Sequence, residues 1–213
     1  MNLGKLIQVK STYLIFSMLF ILGSILLISQ YSQAEIHLWS NHHHYPWLDA
    51  IMPWLTYLGD GWIYLILAIY SVLLLERRAF MSVLFTALLT LIFSSSLKAY
   101  FNEDRPMKYF ADRGIELNEV AGVKPRYQHS FPSGHTTTAF AAWGILAFWW
   151  RKKHWQFLAF LVAVSIGYSR IYLNMHFLRD VGAGASLGTF VVLLSLYLAH
   201  RLKGDWFKEK WFK

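Results

Sequence analysis

Ser169-Arg170-Ile171-Tyr172-Leu173-Asn174-Met175-His176-Phe177-Leu178-Arg179-Asp180 joins two strongly apolar segments and sets two arginines, a histidine and an aspartate between them. Ionisable groups beside lipid are costly, so such a cluster needs a reason. His176 and Asp180 are four residues apart, and on a helix they share a face, where a carboxylate orients an imidazole. Two readings fit the stretch taken alone: a solvated polar connection between buried segments, or a site. The rest of the chain separates them.

The 213 residues suffice for one domain, expected over residues 1–213. They are 56% hydrophobic and only 15% charged, whereas a soluble domain carries about 25% charged residues. That balance points to a membrane protein. The formal net charge of +8 does not signal nucleic acid, because the basic residues fall in small clusters between apolar runs, as membrane loops do. The chain has no cysteine, which excludes disulfides, thiolate catalysis and zinc–thiolate sites.

Outward from the opening stretch, the apolar runs predict an all-α fold, a bundle of six transmembrane helices spanning about 12–29, 61–76, 79–101, 134–150, 155–172 and 181–200. The first run exceeds the usual hydrophobic length of a signal peptide, so it is read as a retained span although Ser32-Gln33-Ala34 faintly resembles a cleavage site. Gln30 to Asp60 has no Lys or Arg and is rich in Trp and Tyr. It is read as an outer loop with a short interfacial helix around Pro46 to Leu58. His42-His43-His44 raises a metal-site reading, but neighbours do not share a helix face and no carboxylate partner is evident. No metal and no cofactor are expected. Gly182, Gly184, Ser186 and Gly188 are spaced for close helix packing.

Charge orients the bundle. The N-terminus, the turns at 76–78 and 151–154 and the tail together hold 12 Lys+Arg and 3 Asp+Glu, and the opposite side holds 8 and 9. The positive-inside rule then places both termini in the cytoplasm. Every candidate chemical group falls on the outer side.

Three clusters gather there. Lys98 and Arg105 lie seven apart, on one face at the end of the third span, and Pro106 marks the helix end. A planar guanidinium fork and a compact ammonium aimed at one point make an anion site, unless both merely snorkel to the interface. Pro132-Ser133-Gly134-His135 sits where a loop becomes a helix. Ser133 suits an N-cap, Gly134 lets the backbone approach a ligand, and His135 stands beside the anion as a general acid or base. The bland alternative is a capped helix start with an incidental histidine. In the third cluster Arg170 adds an anion ligand, and His176 oriented by Asp180 is an activated nucleophile or base.

Lys98, six residues, Arg105-Pro106; Pro132-Ser133-Gly134-His135; and Ser169-Arg170, five residues, His176, three residues, Asp180 form an ordered set. This set resembles the three motifs of the type 2 phosphatidic acid phosphatase family, which shares its core with the vanadium haloperoxidases. Each motif alone is weak, and the order makes the set specific. The resemblance implies that His176 attacks phosphorus to form a phosphohistidine while Asp180 holds its ring. It implies that His135 protonates the leaving oxygen and then activates water, and that Lys98, Arg105, Ser133, Gly134 and Arg170 bind the phosphoryl oxygens without a metal.

The expected protein is therefore a lipid phosphatase of a bacterial inner membrane with its site at the outer leaflet. Its partners would be a phosphorylated lipid and the surrounding membrane lipids, with no nucleic acid and the oligomeric state left open. Undecaprenyl diphosphate is the favoured substrate, with phosphatidylglycerol phosphate, phosphatidic acid and lipid A phosphates as alternatives. A phosphotransferase of the same fold, a haloperoxidase and a non-catalytic scaffold or transporter are the rivals. The haloperoxidase is disfavoured because those relatives are soluble.

Overall fold

The computed structural model describes residues 11–150 and 152–212. The basic N-terminal stretch with Lys5 and Lys10, Arg151 of the basic turn, and Lys213 lie outside the described residues. Nine α-helices are described: α1 Thr12–Gln30, α2 Gln33–His42, α3 Pro46–Tyr57, α4 Ile63–Leu74, α5 Arg77–Phe101, α6 Pro106–Ala111, α7 Gly134–Trp149, α8 Lys153–Tyr172 and α9 Leu178–Arg201. A 3₁₀ turn, Asp205–Lys208, follows. Among the described residues there is no strand, only an isolated bridge between Glu76 and Lys210.

Helix ends follow local chemistry. Ser11 caps α1, and its hydroxyl accepts from the Leu14 N–H. Pro46 opens α3 and Pro106 opens α6, each at a position where the missing N–H costs nothing. α5 stops at Asn102, which takes a left-handed conformation with φ 42°.

The segment between α1 and α4 carries two helices where one was expected. α3 falls where a helix was predicted around Pro46 to Leu58, and α2 precedes it. The reason is a reciprocal capping box, in which Ser32 accepts from the Glu35 N–H and Glu35 accepts from the Ser32 N–H. The small residues of Ser32-Gln33-Ala34 are thus the cap and first turn of α2.

α7 lies at the centre, packed chiefly against α8 and α9, and its residues from Thr136 to Ala142 are all buried. Gly188 of α9 permits this contact. A Cβ there would meet the Thr137 carbonyl at 2.5 Å and Phe140 Cβ at 2.8 Å. α1 packs on α8 and α9, while α5 packs on α4 and α9. Tyr13, Phe140, Phe160 and Ile166 share one apolar core, and Tyr64, Leu67, Val83 and Ile145 form a second.

By length and composition, three helical segments among the described residues are able to cross a bilayer: α1, residues 77–111 containing α5, and α9, with mean hydropathies of 2.2, 2.0 and 1.8. α4 is apolar but only 12 residues long. α7 and α8 face protein rather than lipid along much of their length, so they carry Thr136, Thr137, Thr138, Gln156, Ser169 and Arg170 among their buried residues. The outer helices present the lipid-type surface instead. Leu19, Leu22 and Ile25 of α1, and Leu65, Ile69 and Leu73 of α4, are exposed.

Candidate active site

One end of the bundle collects residues from distant parts of the chain. The end of α5 brings Lys98, the loop after it Arg105, the start of α7 Ser133, Gly134 and His135, the end of α8 Arg170, and the α8–α9 connection with the first turn of α9 His176 and Asp180. All eight residues expected from the sequence meet there.

His176 is almost wholly buried, at 1% exposure. It is not helical, which corrects the shared helix face predicted for it and Asp180. α8 ends at Tyr172, and the chain reverses through Asn174 at φ 55°. The Met175 and His176 N–H groups donate to the Arg170 carbonyl at 2.9 and 3.0 Å. Asp180 is in the first turn of α9, and its Oδ2 reaches back to accept from the Phe177 N–H at 3.0 Å. His176 Nδ1 is 3.5 Å from that oxygen, long for a direct hydrogen bond. Ser130 fills the gap. Its hydroxyl donates to Asp180 Oδ2 at 2.6 Å and lies 3.5 Å from His176 Nδ1. The His176 ring is therefore oriented by a serine–aspartate pair, and Ser130 was not foreseen because it belongs to none of the three motif segments.

With Nδ1 toward Ser130 and Asp180, Nε2 faces Arg105, 3.4 Å from its Nη1. Burial, with Arg105, Arg170 and Lys98 nearby, pushes the His176 imidazole well below its ordinary pKa of 6.5. Nε2 thus carries a lone pair at neutral pH.

Arg105 is 4% exposed and held rigidly by backbone carbonyls. Nε donates to Gln128 at 2.8 Å and Nη1 to Met175 at 3.0 Å. Arg170 is 5% exposed, donates from Nη1 to Thr56 Oγ1, and leaves Nε without a partner. The Lys98 ammonium donates to the His129 carbonyl at 3.3 Å and lies over Gly134. Arg126, in the loop before α7, adds its charge to the field at Lys98, Arg105 and Arg170. Ser133 caps α7 as predicted, its hydroxyl accepting from the Thr136 N–H at 3.4 Å and also from the Thr136 hydroxyl at 2.8 Å, and its N–H donates to the Asp180 carbonyl at 3.0 Å.

Four cations thus surround a space in which both carboxylates are engaged: Asp180 with Ser130 and the Phe177 N–H, Asp60 with His135. Arg105 and Arg170 are buried, Lys98 is half-buried and Arg126 is exposed; buried like charges without counter-ions are unfavourable, and an anion beside Arg105 and Arg170 relieves that cost. Arg179, with no predicted role, pairs with Glu103 and lies over the Phe131 ring, tying α9 to the loop after α5. Two of the three histidines at 42–44 turn to separate partners. His43 Nδ1 meets the Trp39 carbonyl, and His44 stacks on Tyr172.

The PAP2 superfamily model matches residues 79–203. The chain belongs to the PAP2 superfamily. It is 30% identical over 163 residues to phosphatidylglycerophosphatase B of Bacillus subtilis, covering 70% of this chain and 74% of that protein. The crystal structure of Aquifex aeolicus LpxE is similar with a TM-score of 0.68 at 31% identity, over 76% of this chain and 93% of that one. The transmembrane PAP2 type phosphatidylglycerolphosphate phosphatase of Bacillus subtilis shares the fold, with a TM-score of 0.64 at 23% identity over 94% of this chain and 98% of that one. With its apolar helices, this PAP2 protein is an integral membrane protein.

The neutral state of His176 has a consequence for stability in this PAP2 chain. Its folded pKa lies below its unfolded value, so the folded state binds fewer protons than the unfolded one between those two pKa values. Stability is then complete above about pH 6.5 and is lost as pH falls toward the folded pKa, by up to about 1.4 kcal/mol per unit. Thermal unfolding in detergent from pH 7.5 to 5 is expected to show a falling midpoint. His176→Asn should give a shallower fall, and an identical slope in both proteins would refute the assignment.

Proposed function

We propose that this chain is a membrane lipid phosphatase that hydrolyses a phosphomonoester or diphosphate of a lipid through a phosphohistidine on His176. The observation that carries this reading is the buried, neutral Nε2 of His176 facing Arg105, in a pocket where Lys98, Arg105 and Arg170 lack a paired carboxylate. His176 Nε2 attacks phosphorus, and Asp180 with Ser130 holds the ring. Lys98, Arg105, Arg170 and the backbone at Ser133 and Gly134 take the charge that develops on the phosphoryl oxygens. His135 gives a proton to the leaving oxygen and then takes one from water.

In this reading the single domain crosses a bacterial inner membrane six times with both termini in the cytoplasm, and the site opens to the outer leaflet. Because the chain has no cysteine, single cysteines test the topology. Tyr100→Cys should react with an impermeant maleimide on intact cells and Lys203→Cys only after permeabilisation; the reverse pattern would overturn the orientation.

A lipid diphosphate, undecaprenyl diphosphate above all, is the favoured substrate. A cavity of about 590 Å³ beside Lys98 and Arg105 is bordered by Arg126, which offers a second phosphoryl group a cation of its own. Purified protein in detergent is expected to release phosphate from lipid phosphates without added divalent metal and to be inhibited by vanadate. Across a panel of lipid mono- and diphosphates, Arg126→Ala should lower kcat/KM for diphosphates by roughly tenfold and for monophosphates much less. No phosphate release from any member of the panel would sink the function. Equal losses on both classes would remove only the diphosphate preference.

A further inference from the structure

Asp60 lies outside the three motif segments and outside the residues matched by the family. It sits in the Gly59-Asp60-Gly61 turn between α3 and α4, and its Oδ1 is 2.6 Å from His135 Nε2. We propose that Asp60 is a positioning residue for the acid–base histidine, so that the site runs on two histidine–carboxylate pairs: His176 with Asp180 at the nucleophile, His135 with Asp60 at the leaving group. This rests on the phosphatase reading above.

Three observations carry it. The turn is built to approach α7, since a Cβ at Gly59 would meet Ile166 Cγ2 at 2.5 Å and the His135 carbonyl at 3.0 Å. A side chain at position 59 would push Asp60 away from the histidine. Second, an ionised carboxylate only accepts, so Nε2 carries the hydrogen and Nδ1 is the nitrogen left for substrate. The neutral ring then has a lone pair on Nδ1, as a base requires, and the protonated ring has Nδ1–H, as an acid requires. Third, Lys98 and Arg170 lie near His135, and the Asp60 carboxylate sets an opposite charge directly beside its ring. The hydrogen bond from His135 in turn holds the Asp60 carboxyl below its ordinary range. The pair borders a cavity of about 220 Å³ lined also by Thr90, Ser94, Ser95 and Thr138, polar enough to admit water.

In the first half-reaction the bond between phosphorus and the leaving oxygen breaks as the bond to His176 Nε2 forms, and the Nδ1 proton of His135 goes to that oxygen. In the second, the oxygen of water bonds to phosphorus, the bond to His176 breaks, and Nδ1 of His135 takes the proton from water. Asp60 holds the ring through both and keeps its own charge.

The test compares dodecyl phosphate, whose alkoxide needs a proton to leave, with p-nitrophenyl phosphate, whose phenolate does not. kcat/KM reports the steps up to alcohol release. Asp60→Asn is expected to lower it about 100-fold or more on dodecyl phosphate and less than about tenfold on p-nitrophenyl phosphate. Asp60→Glu should recover part of the loss. The double variant Asp60→Asn with His135→Ala should lose no more on dodecyl phosphate than His135→Ala alone. Equal losses on the two substrates, or additive losses in the double variant, would overturn the proposal. If Asp60→Asn does not purify folded, judged by its thermal shift with vanadate, Asp60→Ser serves for the same comparison. A wild-type protein inactive on both substrates would instead overturn the phosphatase reading.

Discussion

His176→Ala should abolish phosphate release from a lipid phosphate, by at least about 10⁴-fold in kcat, while the protein still folds and still binds inorganic phosphate. The loss is large because His176 Nε2 is the histidine nitrogen set against the Arg105 guanidinium, whereas His135 is engaged with Asp60. His176 Nε2 is 3.4 Å from Arg105 Nη1, and the ring is 1% exposed. Phosphate binding should survive because Arg105 is anchored independently, by the Gln128 and Met175 carbonyls. Arg170 is likewise held by Thr56. Isothermal titration with phosphate, run beside a phosphate-release assay, separates the two effects. Full activity in His176→Ala would refute covalent catalysis by this residue, and loss of phosphate binding as well would point to a collapsed site.

His135→Ala should lower turnover by roughly 10²- to 10⁴-fold and change what accumulates. The first half-reaction loses its acid and the second its base, so a labelled phosphoryl group should remain on the protein. A phosphoramidate is stable in alkali and labile in acid, so quenching a reaction with ³²P-labelled substrate at each pH reads it directly. An activated leaving group should raise the trapped fraction, because it bypasses the acid step and leaves only the base step impaired. No label in the variant, with turnover reduced on both kinds of substrate, would mean that His135 does not serve hydrolysis of the intermediate. The contrast with His176 fits their surroundings. His176 is sealed inside, whereas the His135 side chain is 27% exposed, where it meets water.

Much of the site was legible because its residues come in short segments with fixed spacing. Pro132-Ser133-Gly134-His135 needed only a helix start, and the structure supplies it with Ser133 as cap. Lys98 and Arg105 do not share the predicted helix face, because the helix stops at Phe101 and Pro106 opens α6 instead of ending the third span. The partners that tune these groups were not legible. Ser130 and Asp180 are 50 residues apart, Thr56 and Arg170 are 114 apart, and Asp60 reaches His135 from a turn that reads as mere punctuation. No local periodicity records such contacts, since they arise from where helices cross.

The fold shows the same division. Hydrophobic runs, helix caps and prolines by themselves determined an all-helical membrane chain and the bounds of α1, α5, α7 and α9 to within a few residues, because helix formation is a local matter of hydrogen bonds, caps and apolar length. Tertiary structure alone decided that α7 is the central helix, since Gly188 lets α9 approach it backbone to backbone. It also decided that His176 and Asp180 meet across a helix start rather than along a helix. At residues 169–180 the chain must reverse between α8 and α9. The Arg170 carbonyl takes the N–H groups of Met175 and His176, and this reversal, not helical spacing, aims the imidazole at the cations.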